Sequence, residues 1–473
     1  MKTLRWWDYV TLNIYWLGLN IASGSLTPYI LPLLVAQLVG EASKGTALGG
    51  LRVATMAVAI LVQAAAGVLS DRSTLRWGRR RPFIVVGTLL DLVFLALVGL
   101  AGIVWRDYWL LVAAVMLLQV SSNLAHGALQ GLIPDVVPEQ HRGKASGLKA
   151  SFELLPIILV GLTIARYVKD NPWAAIITGM GASFVGILLT LPVREQPLRE
   201  KPSTPIGPQL ARTAALTAIF VVVTGLFGAL VGVVGQGLAG TGWLQLAGVT
   251  VAGLVAMAGS IILGVYWSAR VGIGEGAREH PAYIWWVINR LLFLAAVGSI
   301  QTFAQYFLGD VLHVPDPAAA TGNLMLVVGV STLIAALISG FLADRFGRRR
   351  LVAGAGLVAA LGTFLLVLSP NMTMVLISGC LIGVSAGTFL TSNWALGTDL
   401  VPPAEAGRYL GVSNLAGAGA GIVGAGLGGP MADFFNRSSP GLGYLVIFGI
   451  YGACFVLSAL TLIKVPEARA GRT

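Results

Sequence analysis

Apolar runs long enough to cross a bilayer as helices, which takes about 20 residues, recur along the whole chain, each closed by a short polar, charged or Pro/Gly-rich break. They predict spans over 8–39, 46–70, 82–104, 107–133, 146–167 and 172–192, then 213–239 and 243–268, then 281–311, 321–343, 351–369, 372–398, 408–435 and 443–464. Between the sixth and seventh lies "VREQPLREKPSTPIGPQLAR" (193–212), too rich in proline and charge to cross. Lys2 and Arg5 ahead of the first run imitate a signal peptide. The run continues to Val39 without a clear small-residue cleavage site, so it reads as an uncleaved first span. The pattern is that of an all-α polytopic membrane protein.

Composition agrees, and charge adds a direction. Of 473 residues, 56% are hydrophobic and 11% charged, where soluble domains carry about 25% charged residues. A net charge of +11 would suggest a nucleic-acid partner in a soluble chain. Here it sits in the breaks, so no nucleic acid is expected and the partner is the lipid bilayer. Lys and Arg near span ends stay cytoplasmic. Alternate loops on the amino-terminal side collect Arg72, Arg76, Arg79, Arg80, Arg81, Arg142, Lys144, Arg270, Arg345, Arg348, Arg349 and Arg350 among others; the opposite side holds little more than Lys44, Arg106, Lys169 and Arg437. Both termini therefore read as cytoplasmic, in a plasma (inner) membrane. Cys380 and Cys454 lie in different apolar runs with neither metal nor disulfide spacing.

The chain also repeats itself. "GVLSDRSTLRWGRRR" (67–81) returns as "GFLADRFGRRR" (340–350), each time leaving the second span of a six-span block; "DVVPEQHRGKASG" (135–147) returns as "DLVPPAEAGRYLG" (399–411), each time after the fourth. Two matched pairs in matched positions predict a six-helix bundle over 1–192, a cytoplasmic linker over 193–212, an inserted two-helix hairpin over 213–268, and a second six-helix bundle over 269–473. Parallel halves of this kind describe the major facilitator fold, here as 6+2+6 helices.

The loop pattern, G-x-L-x-D-R closed by G-R-R, resembles the signature loop of the major facilitator superfamily. Asp71 and Asp344 end cytoplasmic helices, where a carboxylate can pair with the following arginines or face a neighbouring helix terminus. The resemblance implies a gate latch built from Asp71, Arg72, Gly78, Arg79 and Arg80, repeated in Asp344, Arg345, Gly347 and Arg348. The alternative is a topology anchor in which the arginines only hold the loop inside. "VQAAAGVLSDRSTLRWGRRRPFI" (62–84), "LTPYI" (26–30), and Asn123, Gly127, Pro134 and Asp135 are similar to stretches of the sucrose transporters, within the glycoside cation symporters; that likeness is strong over 26–147. Gln119 stands where those transporters carry an aspartate implicated in proton coupling, Gln130 where they carry an arginine, and His126 where they carry a glutamine. The fourteen spans also resemble drug antiporters and peptide transporters with a hairpin between halves. "GLKASFELLPIILVGL" (147–162) lacks the antiporters' glycine-proline signature, while a glycine-rich run occupies 417–430 and reads as a sliding contact.

Polar residues facing hydrocarbon are costly, so those recurring at helical spacing face a cavity or a neighbouring helix. Gln119, Asn123, His126 and Gln130 share one face with Ser122; Asn13, Trp16 and Asn20 share another. Amides beside an indole suit a sugar or polyol, and interhelical hydrogen bonding is the alternative. Arg52, Asp91, Glu153 and Arg290 lie within spans, each costing about 2.5–3.5 kcal/mol near a helix centre. Asp91 or Glu153 is the expected coupling-ion carrier, with Arg290 as the charge that exchanges partners; Glu153 stands four residues after Lys149, so a plain ion pair competes there. No nucleotide-binding loop, metal cluster or nucleophile–base pair occurs, so neither cofactor nor metal nor enzymatic activity is expected. The expected function is secondary transport by alternating access, a monomer carrying a sugar or glycoside-like solute together with a proton or sodium ion. The alternatives are export of amphipathic compounds or lipids, and a non-transporting assembly or sensing role.

Overall fold

A chain in hydrocarbon must satisfy its own backbone N–H and C=O groups, and a helix does so within one segment. The computed structural model describes residues 5–193, 195, 206–401 and 406–467, and among these, fourteen helices are long and apolar enough to span a membrane. They are α1 (Trp6–Val39), α2 (Lys44–Asp71), α3 (Arg81–Val104), α4 (Tyr108–Val136), α5 (Glu139–Tyr167), α6 (Pro172–Thr190), α7 (Gly207–Gly237), α8 (Trp243–Gly272), α9 (Pro281–Asp310), α10 (Pro317–Ala343), α11 (Arg348–Val367), α12 (Met372–Leu400), α13 (Tyr409–Asn436) and α14 (Leu442–Lys464). Residues 194 and 196–205 of the expected linker lie outside the described residues, as does the side chain of Asp344.

The largest departures from the expected ends are at polar helix starts. α5 begins at Glu139 rather than 146, winding through "EQHRGKA", and α7 at Gly207 rather than 213. Hydropathy marks the hydrocarbon-crossing part of a helix, and a helix need not stop where the membrane does. Within α1, Leu26–Ile30 forms a π-helical turn around Pro28, which has no N–H to give.

The chain divides into two compact units, Met1–Leu38 with Val58–Thr213, and Val39–Ala57 with Ala214–Thr473. In the first, α1 packs on α5 and α6, and α3 on α4 and α6. In the second, α9 packs on α13 and α14, and α11 on α12 and α14: the same four pairings with every index raised by eight. α8 lies against α9, α13 and α14. Close approach depends on glycine at two of these seams. A Cβ on Gly87 would stand 2.8 Å from the Ala125 backbone N, and one on Gly424 would stand 2.7 Å from the Ala295 carbonyl O, so α3 meets α4, and α13 meets α9, backbone to backbone.

Candidate functional site

In the first unit the polar stripes of α1 and α4 are built partly from local bonds. Asn123 Nδ2 donates to both the backbone O and Oε1 of Gln119 at 2.9 Å, Gln130 Nε2 lies 3.1 Å from His126 Nε2, and Asn20 Nδ2 donates to the Trp16 carbonyl at 2.8 Å. Asn13 is fully buried and reaches the Ala145 carbonyl at 3.3 Å, tying α1 to α5. Three helices meet at Trp16: His126 of α4 presents a ring edge at 5.0 Å, and the Lys149 ammonium of α5 lies 4.2 Å from the indole centroid. Lys149 in turn pairs with Glu153 at 3.5 Å. Trp16, His126, Gln130, Lys149 and Glu153 thus form one cluster of an aromatic face, an imidazole, an amide and an ion pair.

Asp91 belongs to a separate, drier group. It is 3% exposed and takes a hydrogen bond from Ser121 Oγ; nearby, the Thr88 hydroxyl bonds the fully buried Tyr15 hydroxyl at 2.6 Å. No cation pairs with Asp91 among the described residues. In the second unit, Arg290 Nη1 donates to Asn393 Oδ1 at 3.3 Å, with Trp394 and Trp286 at 5.2 and 6.0 Å from the guanidinium carbon.

The repeated loops close on one another. Arg79 and Arg80 both bond Asp135, their Nε atoms 2.8 and 2.9 Å from its Oδ2, and Arg80 also pairs with Asp71 and bonds Ser70 Oγ at 2.7 Å. The Asp135 hydrogen bond holds the Arg79 guanidinium above its ordinary range. Glu195 accepts the backbone N–H of Arg80 at 2.7 Å and of Arg81 at 3.1 Å, capping α3. Burial raises its carboxyl above the usual range, against the pull of those two bonds. In the second unit Arg348 pairs with Asp399 at 2.6 Å, the same motif-to-motif bridge as Arg79 to Asp135. Gly78 and Gly347 turn these loops at φ of +114° and +89°, where a side chain would be strained. Arg345 lies over the Phe346 ring.

A sequence profile described as Major Facilitator Superfamily matches residues 16–306 and 286–473. The chain belongs to that superfamily. It is therefore of the transporter kind rather than an enzyme, as the relatives it matches are. This facilitator is 29% identical over 144 residues to the minor myo-inositol transporter IolF of Bacillus subtilis, covering 30% of this chain and 32% of that one. It is 30% identical over 141 residues to the multi-drug resistance efflux pump PmrA of Streptococcus pneumoniae, covering 29% and 33%. The alignments thus span about a third of those relatives. Two solved structures share the fold: the nucleoside transporter NupG (TM-score 0.66, 13% identity, 96% of this chain and 98% of that one) and the peptide transporter POT in complex with sulfate (0.68, 17%, 96% and 93%).

Several of the facilitator's polar partners were not singled out as site residues from sequence. Asp135 and Asp399 stood in the second repeated motif, so their matched positions were the available signal for pairing with the first. Glu195 and Glu467 follow the last span of each six-span block in the shared pattern Val-x-Glu, at Val193 and Val465. Glu467 lies against Gly347 as Glu195 lies against Gly78. In the second unit, Lys44 pairs with Glu41 and with Asp310 at 2.8 Å, and Asp433 accepts the N–H groups of Gly45 and Thr46 at 2.9 and 2.6 Å. Apart from Lys44 with Glu41, three residues away, nothing short-range connects these, so no local pattern could have joined the rest.

Proposed function

We propose that this facilitator moves a sugar, glycoside or similar polyol together with a proton by alternating access, on the glycoside cation symporter branch that residues 26–147 resemble. The observation that carries the reading is the cluster at Trp16. An imidazole, an amide and an ion pair set against the buried Trp16 indole, inside membrane-spanning segments, offer hydrogen-bond partners for the hydroxyls of a polyol. The likeness to a transporter named for myo-inositol, a cyclic polyol, supports it. Asp91 is the proton carrier: a carboxylate buried with no cation paired to it among the described residues is costly when charged, and protonation removes that cost. Asp71, Arg80, Asp135 and Glu195 form the latch that holds one end closed, and α7–α8 are a peripheral insertion between the halves.

The test is solute-driven proton movement in vesicles, with mono- and disaccharides, glycosides and cyclitols added outside and external pH followed. One solute should alkalinise the medium, and Asp91→Asn should abolish that signal while solute exchange across the membrane persists. Alkalinisation undiminished in Asp91→Asn removes the carrier role. The likeness to PmrA supports a second reading, export of amphipathic compounds. Silence across the sugar panel together with dye efflux would favour it.

A further inference from the structure

Arg290 is ten residues into α9, about 14 Å along its axis and so near the middle of a hydrocarbon core about 30 Å thick. A cation there normally has a carboxylate beside it. Among the described residues none of the ion pairs includes Arg290. Of its five donors, Nη1 makes the bond to Asn393 Oδ1, and Nε is buried without a partner.

The surroundings are fixed rather than loose. Asn393 Nδ2 is spent on Asn289 Oδ1 at 2.9 Å, and Asn289 Nδ2 on Ser458 Oγ at 2.8 Å. Trp286 Nε1 holds the Asn393 carbonyl at 3.0 Å. This chain of bonds turns Asn393 Oδ1 toward one end of the guanidinium and leaves the Nε edge unused. Two indoles beside the cation shield it from water and strengthen whatever it meets. A guanidinium edge is the match for a carboxylate, which takes two parallel N–H bonds from it.

We propose that Arg290 seats a carboxylate of the transported solute, so that the solute is a sugar acid rather than a neutral sugar. The proposal rests on the sugar reading above and narrows it. The arriving anion cancels a charge that no carboxylate among the described residues offsets, which gives the acid an advantage its neutral counterpart lacks.

The experiment is ligand titration of the purified full chain followed by tryptophan fluorescence, since Trp286 and Trp394 flank the guanidinium. The probes are glucose with glucuronate, galactose with galacturonate, glucose 6-phosphate, and lactate and benzoate as acids without a sugar. At least one uronate should bind about tenfold or more tighter than its neutral partner. Arg290→Gln should bring the two to parity, and Arg290→Lys should keep part of the preference. Asn393→Asp, which supplies an internal carboxylate, should also erase it and serves if the Arg290 variants do not fold. The proposal is overturned if the neutral sugar binds as well as its acid, if the phosphate ester binds tighter than both uronates, if Arg290→Gln keeps the preference, or if no acid binds by about 10 mM. Equal binding of neutral and acidic sugars leaves the sugar reading standing without the carboxylate seat. Arg290-dependent binding of lactate or benzoate with no sugar bound does the reverse.

Discussion

Glu195 shows how much can rest on one side chain beyond the last span of a bundle. It takes two backbone N–H groups at the start of α3, yet burial leaves its carboxyl above the ordinary range. A folded-state value raised above the unfolded one means that the associated stability is fully present at low pH and lost as pH rises through the raised value. Glu195→Gln, neutral throughout, should therefore gain in melting temperature relative to the parent as pH climbs from about 4 to about 7. Thermal unfolding in detergent across that range checks it; a difference that stays flat or changes in the opposite sense would show that the two backbone bonds dominate. Sequence located the arginines of this loop and offered Asp71 as a partner, which Arg80 meets, but it did not point to Asp135 or Glu195. Helical spacing tells which residues share a face, and says nothing of which distant carboxylate meets them. Lys149 is a similar case: it read only as the neighbour of Glu153, and the structure also places it over the Trp16 ring.

At the scale of elements, apolar runs made all fourteen helices legible, because hydrocarbon leaves the backbone little choice. Seams between helices were less so. Gly87 is one glycine among 61 in the sequence, yet it sets the α3–α4 contact. Gly87→Ala should force those backbones apart and destabilise the protein by about 1–3 kcal/mol, read as a lower melting temperature in detergent. Gly24→Ala, at a position with nothing within 4 Å of the added carbon, should leave it unchanged. Equal melting temperatures for the two variants would mean that the α3–α4 seam can relax. The glycine-rich run on α13 makes close contacts of its own: Gly429 meets Gly45 and Gly49 of α2, and Gly424 meets α9. The π-helical turn at Leu26–Ile30 had no hydropathy signature, since its residues are as apolar as a regular turn.

Over the whole molecule, the repeated pairings α1–α5, α1–α6, α3–α4 and α3–α6 against α9–α13, α9–α14, α11–α12 and α11–α14 give a structural counterpart to the two repeated loops. The charge asymmetry of the loops predicts their sides. With Cys380 and Cys454 replaced by alanine, Ser438→Cys between α13 and α14 should react with an impermeant maleimide in intact cells, and Thr74→Cys between α2 and α3 only after lysis. Reversed labelling would invert the topology. One contact carries a consequence for biogenesis. The first N–H groups of α2 are met by Asp433, 387 and 388 positions later in the chain, and the Lys44 ammonium by Asp310, 266 later. A ribosome has released α2 long before either carboxylate exists, so that end of the helix leaves synthesis unfinished. Its completion waits for α13, which makes the end of translation, rather than the insertion of α2 itself, the moment at which this corner of the transporter becomes native.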